Sequence, residues 1–225
     1  MRAISLALLA LAASPLAQAD ELLAALQSKQ FESPTVAFDV EFQFDGQTIM
    51  AEVDPTKPEG ERMVVTSPDE SAWPEGLADA LESMDKNARG AIWCDEFVEA
   101  LPDDAERVSE GDGSVTYAFT PKPEPGADGS ERKLFEKLTA TMVVDAGTVT
   151  VKSYQLHLPE PIKPHFLAKI ETFALFVDCV PHDSGNSRFN RFDLEISGSA
   201  MGNNFDQTDK RRVANLRPAA FPDEG

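Results

Sequence analysis

Gly198-Ser199-Ala200-Met201-Gly202 sets a serine between two glycines, the kind of stretch in which an acyl-transfer enzyme exposes a nucleophile on a sharp strand-to-helix turn. That turn needs Gly-x-Ser-x-Gly; here one glycine directly precedes Ser199, so the spacing excludes the elbow. Cys94 and Cys179 are the other candidate nucleophiles, and they serve only as free thiols. For a metal, Asp178, Cys179 and His182 form the one local grouping, with His157 and His165 elsewhere, and none of the standard zinc spacings results. Asp103, Asp104, Glu106, Glu110 and Asp112 crowd a short stretch but lack the Asp-x-Asp-x-Asp-Gly register of a calcium loop, so they read as a solvated acidic loop. No acidic pair is singled out for glycoside hydrolysis by an apolar setting, and Asp39 and Glu41 lie on the polar, solvent-facing parity of a strand. No Gly-rich phosphate loop and no basic stripe interleaved with aromatics occurs. The chain therefore reads as non-enzymatic, with no cofactor and no metal. A hydrolase whose acids meet only in three dimensions is the enzymatic alternative.

The fate of the two cysteines depends on the compartment. Residues 1–19 carry Arg2, an apolar run from Ile4 to Ala13 and an Ala17-Gln18-Ala19 ending, the pattern of a signal peptide cleaved before Asp20. No second apolar run approaches the ~20 residues of a membrane helix, so the expectation is an exported, periplasmic protein without a transmembrane segment. In an oxidising compartment an even cysteine count predicts a Cys94–Cys179 disulfide. Removing 19 residues from 225 leaves 206, enough for one well-filled core, read as a single domain over 20–217 with a disordered tail at 218–225. The net charge of −19 repels polyanions, which argues against nucleic acid and disfavours anionic lipid surfaces.

Which elements hold these residues follows from periodicity. Leu22, Leu23 and Leu26 share a helical face after an acidic first turn. Val36, Phe38, Val40, Phe42 and Phe44 alternate with polar residues, Asp45-Gly46 suits a tight hairpin, and Ile49, Ala51 and Val53 resume the alternation. A short strand over 62–66 precedes an amphipathic helix carrying Leu77, Ala80, Leu81 and Met84, and a second helix is predicted over 92–101. Strands then return over 115–120, 138–144, 149–158, 166–177 and 188–197, with a mobile Pro/Gly-rich loop at 121–131. Phe166 to Val177 is apolar on both parities except near Lys169 and Glu171, the pattern of a central strand or of one covered on both faces.

Eight or so strands with two or three helices fit a sandwich, a closed barrel or a curved sheet. A helix at the start and another between early and late strands favour the last: an α+β, mainly β fold whose curved antiparallel sheet forms an unclosed half-barrel covered by helices. The order of elements resembles the periplasmic lipoprotein-carrier superfamily (LolA-like). The resemblance rests on the DELLAALQSKQF helix, the VAFDVEFQF strand, AEVDPTKPEGERMVV with Pro68 to Ser71, and the later VTYAFTPK, LTATMVVDAGTVTVKSYQL and FDLEIS stretches. It implies an apolar cavity that accepts acyl chains. In that family a basic residue precedes the proline of the turn after the early strands and helps to hold the cavity shut; here Asp54-Pro55 stand in that place, with Arg62 close by.

On this reading Phe38, Val40, Phe42, Met142, Leu194 and Ile196 line a cavity for a lipid or a lipidated protein, although such residues more commonly build a closed core. The alternative is an envelope interaction or stress-sensing module with a solid core, whose helical insert and acidic loops contact a protein partner.

Overall fold

In the computed structural model, residues 20–31, 33–87, 92–123 and 126–219 are described. The proposed signal peptide and the end of the tail lie outside them. Eleven strands, β1 (Val36–Phe44), β2 (Gln47–Val53), β3 (Met63–Ser67), β4 (Glu106–Gly111), β5 (Ser114–Phe119), β6 (Thr139–Asp145), β7 (Thr150–His157), β8 (Ile162–His165), β9 (Ala168–Pro181), β10 (Ser187–Ala200) and β11 (Asn203–Pro218), form one antiparallel sheet. Its order is β3-β2-β1-β11-β10-β9-β7-β6-β5-β4, with β8 on the far end of β9, so the sheet ends in two free edges and does not close. This is the expected unclosed half-barrel. It excludes a sandwich of two pressed sheets and a closed barrel.

Local chemistry explains the early elements. Asp20 caps helix α1 (Glu21–Ser28) by accepting from the Leu22 and Leu23 amides at 3.1 Å, and the helix buries Leu23 and Leu26. Asp45 and Gly46 take φ of 47° and 76°, the two left-handed positions that make the β1–β2 turn match the twist of its strands. Helix α2 (Leu77–Asn87) turns Leu77, Leu81 and Met84 to the sheet. The segment predicted as a second helix is a 3-10 helix, Cys94–Ala100, held to β9 by the Cys94–Cys179 disulfide. A short 3-10 turn, Glu70–Ala72, completes the cover near β3.

The core falls into two clusters on the helix-covered face. One, under α1 and the long 3-10 helix, joins Leu26, Val98, Leu101, Tyr117, Met142, Tyr154 and Val177. The other, under α2, joins Phe38, Val40, Phe42, Ile49, Leu77, Trp93 and Val213. Phe189 of β10 packs against both.

Four expectations are corrected. The acidic stretch at 103–112 is not all loop: Glu106–Gly111 is edge strand β4, exposed at all six positions and paired only with β5. The segment at 121–131 contains the start of helix α3 (Gly129–Phe135), nucleated by a capping box in which Asp128 and Glu131 satisfy each other's backbone amides. Residues 203–217, assigned to no strand, form β11, the longest strand and the link between the early hairpin and the late strands. The tail does not begin at 218: Pro218 pairs with Val36, and the Ala219 amide donates to the Thr35 carbonyl at 3.2 Å.

Candidate functional site

Register places the predicted ligand-contacting residues on one face. Phe42 of β1 sits opposite Arg211 of β11, Arg211 opposite Phe192, Phe192 opposite Val177, Val177 opposite Tyr154, and Tyr154 opposite Met142. One cross-strand row thus runs through six strands on the helix-covered side, and Leu194 and Ile196 follow Phe192 on the same side of β10. Phe38, Val40 and Phe42 are buried together in the cluster under α2, and Met142 is buried in the cluster under α1. Leu194 and Ile196 belong to neither cluster and are half-buried. The six therefore fall into three groups, and only the last pair faces a partly open surface.

That surface is an apolar band on the far halves of β9 and β10, flanked on β11 by Phe205, Gln207 and Asp209. Leu194 opposes Leu175 and Ile196 opposes Phe173, while Phe205 of β11 pairs with Gly198. A Cβ at Gly198 would stand 2.1 Å from the Lys169 carbonyl oxygen and 2.9 Å from the Phe205 ring, so only glycine lets β9 and the ring approach this closely. Gly198→Ala is expected to cost about 2 kcal/mol through overpacking, read as an earlier urea-unfolding midpoint with the slope unchanged.

The band ends on charge. Asp209 opposes Leu194, and two residues on, Arg211 pairs with it, Nε donating to Oδ1 at 3.0 Å, while its guanidinium lies 5.5 Å from the Phe192 ring centre. This ion pair lies where the packed core gives way to the open band. Sequence reasoning missed it because β11 alternates Phe205, Gln207, Asp209 and Arg211 on the inner face, which hides the apolar period. Arg62 does something else. It lies beside β3, paired through β2 to the Phe38 end of β1, and its Nε donates to the Lys57 carbonyl at 3.1 Å.

A second concavity, about 690 Å³, opens between α1 and the long 3-10 helix and is lined by Gln27, Lys29, Phe31, Glu96, Glu99, Asp103 and Lys122. Its cations are already engaged: Lys29 Nζ donates to the Val149 carbonyl at 2.9 Å and Lys122 Nζ to that of Leu101 at 3.1 Å. Desolvation, aided by the neighbouring Glu99, holds the Glu96 carboxyl above its ordinary range. The lining lacks any nucleophile paired with a base. Ser199 lies in the β9–β10–β11 ladder opposite Lys169 and Asn204. Among the described residues no three His, Cys, Asp or Glu side chains converge as a metal site would require. His182 bonds Ser184 at 2.9 Å and meets Trp93 edge-on. No described helix is long and apolar enough to cross a membrane. Compared with protein-family models, curated proteins and solved structures, the chain has no significant match in any of the three.

Proposed function

We propose that this is an exported, non-enzymatic binding protein of the lipoprotein-carrier type, which holds the acyl chain of a lipid or lipidated protein against the band around Leu194 and Ile196. The observation that carries the reading is that pair: aliphatic residues on the helix-covered face of an unclosed sheet, outside both packed clusters. Phe38, Val40, Phe42 and Met142 then act as the rigid base beside the site. Ten acyl methylenes moved from water onto such a surface gain on the order of 8 kcal/mol before the cost of association. Arg211, paired with Asp209 at the limit of the band, is placed to meet a polar headgroup or a linker carbonyl. The resemblance of the sequence segments to those of periplasmic lipoprotein carriers supports the same reading.

Native mass spectrometry of protein taken from its host, followed by organic extraction, and uptake of a soluble fluorescent fatty acid test it together. Leu194→Glu with Ile196→Glu should weaken uptake at least tenfold while the melting temperature stays within a few degrees, since both positions are half-exposed. Protein that leaves its host empty and takes up no fatty acid overturns the proposal. The close packing of four of the six predicted residues favours a second reading, a solid-core module that contacts an envelope protein. One dominant protein adduct on crosslinking in intact cells, with no lipid, selects that reading.

A further inference from the structure

Beyond the last β1 partner, β9, β10 and β11 continue as an arm. From Asp209 back to Asn203, where the turn at Met201 and Gly202 begins, β11 covers six residue steps, about 20 Å at strand rise. Two turns meet at its end. The Met201 amide donates to the Leu167 carbonyl at 2.8 Å, which places the β10–β11 turn beside the β8–β9 turn. Three large apolar side chains stand out there: Phe166 at 82 % exposure, Met201 at 80 % and Leu167 at 46 %. The first two are the most exposed large hydrophobic residues described.

Turn formation does not explain them. Met201 takes φ of 51° ahead of Gly202 at 83°, a turn whose first position asparagine or aspartate fills at lower cost. Packing does not explain them either, since exposed side chains add nothing to the core. What surrounds them is informative. In a chain with 39 acidic and 20 basic residues, 161–170 holds Lys163, His165 and Lys169 with no carboxylate, and 196–205 holds no charged residue at all. Lys133 of α3 adds a third lysine, its Nζ donating to the Pro164 carbonyl at 3.4 Å. Lys169 is offset by Glu171, but Lys163 is exposed and forms no ion pair among the described residues. The local sign is thus opposite to that of the whole molecule.

We infer that the tip formed by Phe166, Leu167 and Met201 docks on a lipid bilayer, the three side chains entering the headgroup–acyl boundary while Lys163 and Lys133 meet anionic headgroups. An apolar tip ringed by cations is the pattern of interfacial binding, and the field of the remaining acidic surface keeps the body of the protein off the membrane and the arm pointed toward it. The net charge of −19, which disfavours anionic lipid for the molecule as a whole, is compatible with contact through this one end, whose two turns carry no carboxylate. Bilayer contact is independent of whether the inner face holds an acyl chain. If it does, the docked arm makes the band continuous with the membrane interior.

Flotation with vesicles of phosphatidylethanolamine and phosphatidylglycerol at three to one, and with pure phosphatidylcholine vesicles, is the test. The exported form, from Asp20 onward, should float with the mixed vesicles, and Phe166→Ser with Leu167→Ser and Met201→Ser should lower binding at least tenfold. Lys163→Glu should weaken binding to the mixed vesicles more than to phosphatidylcholine. To guard against a misfolded triple variant, Phe166→Trp in the otherwise native chain should shift its emission to the blue on adding vesicles and be quenched by brominated lipid. Uptake of a soluble fatty acid by the triple variant should remain as in the parent, so failure of bilayer docking and failure of acyl binding are told apart. Native protein that floats with neither vesicle, or a triple variant that floats equally well, overturns the inference. A micromolar dimer that the triple variant splits, without flotation, reassigns the tip to contact between two copies and equally overturns it.

Discussion

Replacing Cys94 and Cys179 together by alanine lowers stability by about 4 kcal/mol, the chain-entropy value for opening a loop of this length. The bridge spans 85 residues, from the 3-10 helix after α2 to β9 near the middle of the sheet. Both cysteines are buried in the cluster under α1, so two alanines also remove apolar volume from it. For a domain of about 200 residues this corresponds to a fall in melting temperature of roughly 8–16 °C. Thermal unfolding of the parent with and without reductant, beside the double variant, measures it. Equal melting temperatures in all three would mean that the constraint on the unfolded chain is negligible. The consequence for function is specific: the 3-10 helix covers one core cluster and its N-terminal neighbour Trp93 belongs to the other, so loosening it uncovers the face beside the proposed site.

Much of this architecture was legible because its signals are local. The alternation of Val36 to Phe44 fixes which residues of β1 face inward, and Asp45-Gly46 supplies the two positive φ values that turn the chain back. The cysteines pair as the compartment argument requires. What stayed hidden depends on partners distant in sequence. β4 reads as an acidic loop because an edge strand with six exposed residues carries no apolar parity at all, and its charges protect a free edge from further pairing. β11 is hidden by Gln207, Asp209 and Arg211 on its inner face, the same residues that set the polar limit of the apolar band. Asp85, a carboxylate of α2, is buried because it accepts the Met63 amide at 2.8 Å and also the Gly60 amide, which closes the β2–β3 loop onto the helix. The half-open state of Leu194 and Ile196 is a property of how far neighbouring strands extend. β1 stops at Phe44 while β10 continues, and no pattern within FDLEIS encodes that.

Asp95 presents the same kind of long-range dependence with a direct energetic consequence. It is almost fully buried and stands next to Cys94 on the 3-10 helix. Its Oδ2 accepts the Ser187 amide at 2.6 Å, and its Oδ1 accepts the Ser187 hydroxyl at 3.1 Å and the Val151 amide at 3.4 Å. One carboxyl group thus ties the helix to β10 and β7, and Ser187, itself buried, has its amide and hydroxyl satisfied by this one side chain. Asp95→Ala leaves buried donors unpaired and is expected to cost about 3 kcal/mol, since each orphaned donor forfeits roughly 1–3 kcal/mol. Asp95→Asn should cost less, because its carbonyl oxygen still accepts the Ser187 amide and only the Val151 amide, facing the NH2 group, loses its acceptor. Urea unfolding of the three proteins, oxidised and reduced, separates this anchor from the disulfide beside it. The bridge acts chiefly by restricting the unfolded chain, whereas Asp95 acts only in the folded one, so the cost of Asp95→Ala should be the same in both redox states within about 0.5 kcal/mol. A cost that vanishes on reduction would mean that the 3-10 helix has already left the sheet once the sulfurs part. Covering of the inner face would then be a consequence of oxidation and not of packing.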